Sequence, residues 1–139
     1  MLGHWLTENV DDLDSKSFGF VYQITNLESG RKYLGKKRLK FTRRKKVTGR
    51  KNRKTVIKDS DWKDYTGSCD ALNEDIDRLG KEKFKFEILK WCRSSGECNY
   101  WETKLIFEND ALLDDTYYNT WVSCKIHSSH IKKNGVKKR

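Results

Sequence analysis

Phe18-Gly-Phe-Val-Tyr-Gln-Ile-Thr25, Asn26-Leu-Glu-Ser-Gly30 and Lys32-Tyr-Leu-Gly-Lys-Lys37 form the stretch on which the fold turns. Phe18, Phe20, Tyr22 and Ile24 alternate with other residues, and a side-chain period of two predicts a strand with one buried face. Asn26 to Gly30 carries hairpin turn chemistry, with Gly30 suited to a left-handed backbone. Lys32 to Lys37 is then the return strand.

Downstream the pattern changes period. After Tyr65-Thr-Gly-Ser-Cys69, Leu72, Ile76 and Leu79 share a helical face, with Ser68 or Asp70 as the expected N-cap and Gly80 as the terminator. Phe84, Phe86 and Ile88 alternate again, so residues 84–92 make a third strand. Ser95-Gly-Glu-Cys98 opens a second helix that runs to about Asp110, and the stretch from Ala111 to Ile126 is aromatic and irregular. Strand, strand, basic segment, helix, strand, helix is an α/β order. The expected architecture is a small, mainly antiparallel three-stranded sheet flanked by helices, with a basic insert after the second strand. At 139 residues the chain has the length of one domain. Residues 1–17 form an acidic leader with Trp5 and Leu6 as candidate docking anchors. Residues 18–127 are the domain, with the insert at 38–58, and residues 128–139 form a basic tail.

Charge narrows the function. The net charge is +10, yet residues 31–58 hold fifteen Lys or Arg and no acid. Everything else therefore sums to −5. Like charges so dense repel, and a polyanion is the partner that neutralises them. Nucleic acid is the expected partner, with salt-sensitive binding. An anionic membrane surface is the rival, but the stretch has no broad apolar helical face. A solvated loop is the plain alternative. Residues 38–58 are sparse in apolar positions. Val47, Thr55, Val56 and Ile57 are β-branched and favour a second hairpin, turning near Thr48-Gly49, over a helix. Its cations Arg38, Arg44, Lys45, Lys46, Arg50, Lys51, Arg53 and Lys54, with Lys36 and Lys37 before them, are the candidate DNA contacts. No apolar run reaches the roughly 18 residues of a membrane span, no secretory signal is expected, and four cysteines without a paired spacing suit a reducing cytoplasm.

One acid is out of place. On the second helix Glu97, Lys104 and Glu108 take a polar side and Cys98, Trp101, Leu105 and Ile106 an apolar one, but Glu102 falls within the apolar stripe. A buried carboxylate needs a cation, hydrogen bonds or a raised pKa. A divalent metal is one partner, since Mg²⁺ uses one or two carboxylates and completes its shell with water and phosphate; a neighbouring Lys or Arg is the other. Cys124, His127 and His130 are spaced like three zinc ligands, with Cys92 or Cys98 as a fourth, although buried thiols and surface histidines read the same way. Trp62 can stack on a base or pack beneath the insert.

Gly19-Phe-Val-Tyr-Gln-Ile-Thr-Asn26 followed by Lys32-Tyr-Leu-Gly-Lys36 resembles the signature of the GIY-YIG nucleases. Tyr65-Thr-Gly-Ser68, Leu79-Gly-Lys-Glu-Lys-Phe84, Tyr100-Trp-Glu102 and Tyr118-Asn119 match later blocks in order. The set is especially similar to the small Seg-like homing endonucleases of bacteriophages. Phe20 stands where the first motif has glycine, and Val47 where a histidine is often found; Tyr65, His127 or no residue takes that place. The resemblance implies hydrolysis of DNA phosphodiesters, with Mg²⁺ or Mn²⁺ on Glu102 and Tyr22 orienting or deprotonating the attacking water. A cationic setting around Lys36 and Lys37 would favour the Tyr22 phenolate. Tyr33 would bond the phosphate or water, or buttress the hairpin. Arg43 is the positional match for the family arginine that meets developing negative charge, with Arg38, Arg44 or a lysine as substitutes, and Asn119 for an asparagine that orders the site.

The resemblance further implies a protein of the host-cell cytoplasm acting on double-stranded DNA as a monomer or a transient dimer. A nucleic-acid-binding module on the same scaffold without cleavage is the alternative, and a basic RNA-binding protein a third that leaves the ordered blocks unexplained.

Overall fold

The computed structural model describes residues 2–7, 17–45, 49, 54–122 and 126–129, with the backbone alone at 41–45 and 54–56. Among the described residues five strands and two α-helices follow in the order β1 (Gly19–Asn26), β2 (Lys32–Arg38), β3 (Lys40–Lys45), β4 (Lys54–Asp59), α1 (Asp70–Leu79), β5 (Phe84–Cys92) and α2 (Ser95–Glu108). β2, β1 and β5 form an antiparallel sheet with β1 in the centre, while β3 and β4 pair as a separate ribbon.

Alternation in β1 sends its side chains to two cores. Phe20, Tyr22 and Ile24 join Leu72 and Ile76 of α1, Phe84, Phe86 and Ile88 of β5, and Trp5. Val21 points the other way, into a smaller cluster with Cys92, Cys98, Trp101 and Leu105 under α2. Helices therefore cover both faces, and the central strand is almost wholly buried. The β1–β2 turn is set by Asn26, whose Oδ1 accepts from the N–H groups of Glu28 and Ser29, and by Gly30 at φ +79°.

β5 departs from simple alternation. Val21 pairs with Lys90 but Tyr22 pairs with Ile88, so Leu89 is the extra residue of a bulge. The bulge shifts the phase of the strand's end. Trp91 consequently joins Ile88 in the α1-side core, and Cys92 is handed to the α2 side.

The start of the chain docks as expected, by different means at its two anchors. Trp5 is 2 % exposed and donates from its indole N–H to the Trp62 carbonyl. Leu6 leaves its side chain 56 % exposed and holds on through its backbone, which exchanges hydrogen bonds with Phe86 and Ile88. Residues 8–16 lie outside the described set.

The cap of α1 differs from expectation, whereas α2 opens at Ser95 as expected. α1 has Cys69 at its N-cap with no side-chain cap, in place of Ser68 or Asp70. Asn73 ties down the preceding loop instead, donating to the Gly67 and Cys69 carbonyls and accepting from the Thr66 hydroxyl. α2 is capped by Ser94, whose Oγ accepts from the Glu97 N–H, while the Glu97 carboxylate accepts from the Arg93 N–H. Glu97 is therefore buried at 4 %, not on the polar side, because closing the cap takes its carboxylate inward.

The insert forms the hairpin that its β-branched residues favour. Leu39, buried between β2 and β3, roots it: its N–H donates to the Phe18 carbonyl and its carbonyl accepts from Ser60. Gly49 has φ +85°. Thr48, Lys46, Arg50, Lys51, Arg53 and the tail at 130–139 lie outside the described residues.

One close approach fixes the β1–β2 face. Gly35 sits opposite Tyr22, and a Cβ there would lie 2.4 Å from the Tyr22 hydroxyl and 2.6 Å from ring carbon Cζ. Gly35→Ala is expected to cost about 1–3 kcal/mol by overpacking. Tyr22→Phe should not relieve it, since Cζ remains, whereas in a Tyr22→Ala background the same change should cost almost nothing. Urea unfolding of wild type, Gly35→Ala, the two Tyr22 single variants and the two double variants measures this coupling.

Candidate active site

Tyr22 of β1, Tyr33, Leu34 and Lys36 of β2, Ser68 and Cys69 before α1, Glu102 and Ile106 of α2, and the segment Tyr118–Val122 line one cleft of about 620 Å³. Four of the five expected catalytic residues, Tyr22, Tyr33, Glu102 and Asn119, thus meet in one place, and Lys36 joins them.

The Tyr22 phenol reaches the cleft across Gly35, where the absent side chain leaves it room. Gly67 lies on its other side at φ +86°, and a Cβ there would stand 3.3 Å from both the Tyr22 hydroxyl and the Tyr33 ring. The Tyr-x-Gly of β2 and the Tyr-x-Gly before α1 each contribute a glycine that makes space for Tyr22. Tyr65 meets the Tyr22 ring edge-on at 6.2 Å, and Tyr33 lies tilted at the same distance.

Asn119 acts on backbone. Its Oδ1 accepts from the Leu34 N–H at 3.0 Å and its amide donates to the Leu34 carbonyl at 2.8 Å. These two bonds clamp β2 between Tyr33 and Gly35. Further bonds between Lys32 and residues 116 and 118 cover the rest of that edge. Tyr118 anchors the segment from the other side: its hydroxyl donates to Asp75 at 2.6 Å and accepts from Asn26 at 3.1 Å.

Electrostatics in the cleft run against the phenolate expected of Tyr22. Burial pushes its pKa well above the usual tyrosine value, and Tyr33, Tyr65, Glu102 and Cys69 add to the rise. Lys36 and Lys37 do not reverse this. Lys36 donates to the Asn99 side-chain oxygen and faces Glu102, while Lys37 is held 2.8 Å from Asp61 and 4.0 Å over the Tyr65 ring. Tyr22 is a neutral phenol here. Burial also raises Tyr33, which a hydrogen bond with Ser68 partly offsets. Glu102 is raised by burial, with the Lys36 ammonium offsetting part of that.

Among the described residues no three His, Cys, Asp or Glu side chains cluster to hold a metal. The cleft nevertheless fits a hard divalent cation that keeps water and takes phosphate oxygens, because such an ion needs only one or two carboxylates. Glu102 supplies one, raised and half-buried, so a cation there would relieve its desolvation. The zinc arrangement finds no such support. His127 is exposed and bonded to Ser129, Cys92 and Cys98 hydrogen-bond each other beneath α2, and Cys124 and His130 lie outside the described residues.

The remaining expected contacts sit elsewhere. Arg43, Arg44, Lys45 and Lys54 are on the β3–β4 ribbon, with backbone alone described. Arg38 is exposed at the end of β2, its guanidinium 5.6 Å over the Phe18 ring. Trp62 packs edge-on against Phe20 and Trp91, as the packing alternative has it. The sequence reading passed over Trp121 at the mouth of the cleft, and its only signal was a large aromatic just after the Tyr118-Asn119 block.

Comparison with curated proteins and with solved structures gave no match. A family model described as "Putative endonuclease segE, GIY-YIG domain" matches residues 5–122, from the docked Trp5 to the far wall of the cleft. With the antiparallel β2-β1-β5 sheet between two helices, and with tyrosines, glutamate and asparagine meeting where its motif blocks converge, the chain belongs to the GIY-YIG endonuclease family, in its Seg-like group.

Proposed function

We propose that the chain is a divalent-metal-dependent DNA endonuclease, a phage enzyme of homing or DNA-processing type that cuts phosphodiester bonds in double-stranded DNA. It would act in the host-cell cytoplasm, as a monomer or a transient dimer on DNA. The observation that carries this reading is the convergence of Tyr22, Tyr33, Lys36 and Glu102 on one cleft, in a domain that also carries the β3–β4 ribbon within its basic segment.

Glu102 would hold Mg²⁺ or Mn²⁺. Such an ion supplies neutralisation of the phosphate and of the departing oxygen. The protein's residues do the rest. Tyr22, as a neutral phenol, orients: its hydroxyl can accept a hydrogen bond from the attacking water while donating its proton to a phosphate oxygen. Burial between Gly35 and Gly67 leaves that hydroxyl little freedom, so its positioning entropy is lost on folding and not at the reaction. Tyr33, steadied by Ser68, offers a second phenolic donor. Lys36 meets phosphate charge beside Glu102. Asn119 positions the site by holding β2. Arg43, or Arg38, Arg44 or a lysine in its stead, would meet developing negative charge from the ribbon side, and Lys45, Lys46, Arg50, Lys51, Arg53 and Lys54 would grip the backbone. Lys37 serves this reading least, because Asp61 and Tyr65 occupy it.

Supercoiled plasmid incubated with Mg²⁺ or Mn²⁺ tests the proposal. Wild type is expected to nick or linearise it, and Glu102→Gln to bind it normally and leave it intact. Binding without cleavage by wild type would instead mark a nucleic-acid-binding module, and cleavage by Glu102→Gln would refute the metal assignment. Tyr22→Phe is expected to slow cleavage by about 10²–10⁴-fold with the salt dependence of binding unchanged.

Glu102 also links the site to stability. Its pKa is raised on folding, so the folded state favours the protonated form. Stability is therefore fullest below the ordinary carboxylate pKa of about 4.3 and falls as pH climbs through the raised value. Glu102→Gln keeps the group neutral. The variant's Tm should exceed that of wild type by a few degrees at pH 7–8, and the difference should vanish near pH 3.5. Calorimetry of metal-free protein across that range is the check.

A further inference from the structure

Trp121 is 75 % exposed, and it stands on the cleft wall with Asn119, Thr120 and Val122. An indole left in water forfeits its large apolar burial unless a partner covers it. Nor is Trp121 a loose end. Two residues earlier Asn119 is 7 % exposed and clamped to both backbone groups of Leu34, and one residue earlier still Tyr118 is bonded to Asp75 and Asn26. One residue later Val122 packs on the Leu34–Ile106–Ala111 cluster. The indole is thus presented from a short span fixed at both ends, in the cleft that holds Tyr22 and Glu102.

We infer that Trp121 is a stacking platform for a base of the bound DNA strand, one that is unpaired or tilted out of the duplex beside the phosphate in the cleft. The inference rests on the DNA-cleaving reading for the phosphate's position but not for the stacking itself. Three features select a base over other occupants. The indole offers an open aromatic face, and base–aromatic stacking tolerates any sequence. Lys36 in the same cleft supplies a cation for the adjoining phosphate. The ribbon rooted at Leu39 and the +15 segment that includes it recruit a polyanion to this domain. A continuous duplex laid across the cleft keeps its bases in their own stack, so the platform favours DNA that is nicked, gapped, bulged or locally opened. Trp62, the other candidate for stacking, is already engaged with Phe20 and Trp91 and cannot serve.

The test uses the full chain in the Glu102→Gln background, so that binding is read without cleavage. A single-stranded oligonucleotide containing 2-aminopurine is titrated beside the same sequence as a blunt duplex. Trp121→Ala is expected to weaken single-strand binding by about 10–100-fold and to abolish 2-aminopurine quenching. Trp121→Phe should stay within about threefold of the parent, and duplex affinity should hardly change in either variant. Unchanged single-strand affinity and quenching in Trp121→Ala would overturn the inference. An equal loss on both DNAs would also overturn it, by making Trp121 a general contact or the seat of a neighbouring segment. A metal-inert wild type with the expected binding pattern would sink the nuclease reading and leave the stacking platform standing.

Discussion

The contact between the Tyr22 phenol and the bare backbone of Gly35 is the constraint on which the site depends. Tyr22 is on the central strand and almost fully buried, whereas a reacting phosphate must stay near solvent. A ring can satisfy both demands only if the neighbouring strand gives way, and glycine gives way. Gly67 does the same from the α1 side. The family's two-part signature thus has a mechanical reading: a tyrosine on one strand and, opposite it in register, a glycine that lets the tyrosine pass. Asn119 serves the same need, since β2 is the outer strand of the three and is held there through the Leu34 amide and carbonyl.

Burial has an electrostatic consequence that the charge map alone hides. Fifteen cations in residues 31–58 suggest a field that lowers acid and phenol pKa values throughout. In the cleft the direction is opposite, because desolvation dominates over distant or committed charges. Lys37 is spent on Asp61 and Tyr65, and Lys36 only partly offsets the burial of Glu102. The cleft is therefore short of positive charge in a basic protein. A divalent cation on Glu102, as proposed above, would restore the balance, and such an ion can be held by one carboxylate when water and phosphate complete its shell.

What could be read from the sequence was what periodicity and local chemistry determine. Period-two runs marked β1, β2 and β5, the Leu72–Ile76–Leu79 face marked α1, and β-branched residues marked the ribbon, because each of these depends on near neighbours. Glu102 stood out for the same reason, as an acid within an apolar stripe. The failures share a cause as well. The bulge at Leu89 that turns Trp91 inward, the burial of Glu97 by its cap, and the docking of Leu6 through backbone alone are set by partners distant in sequence or by backbone bonds that side-chain pattern does not record. The contrast between packed Trp62 and exposed Trp121 is the same case, since only tertiary contacts decide which indole is covered.

The division of labour between sheet and ribbon follows from these limits. A two-stranded ribbon is marginal by itself, and one crowded with like charges is further destabilised by repulsion. The ribbon is rooted through Leu39 and through Ser60, whose hydroxyl donates to the Arg38 carbonyl. The basic segment is therefore divided, with Lys32, Lys36, Lys37 and Arg38 on β2, Arg31 just before it, and the rest within the chain span of a ribbon that is hydrogen-bonded separately from the sheet. Two of the cations on β2 are paired beside the site, Lys36 with the Asn99 side chain and Lys37 with Asp61. On the proposed reading the hairpin would grip the backbone and the cleft, where burial raises Tyr22, Tyr33 and Glu102, would carry the chemistry, so that one small domain would meet both requirements.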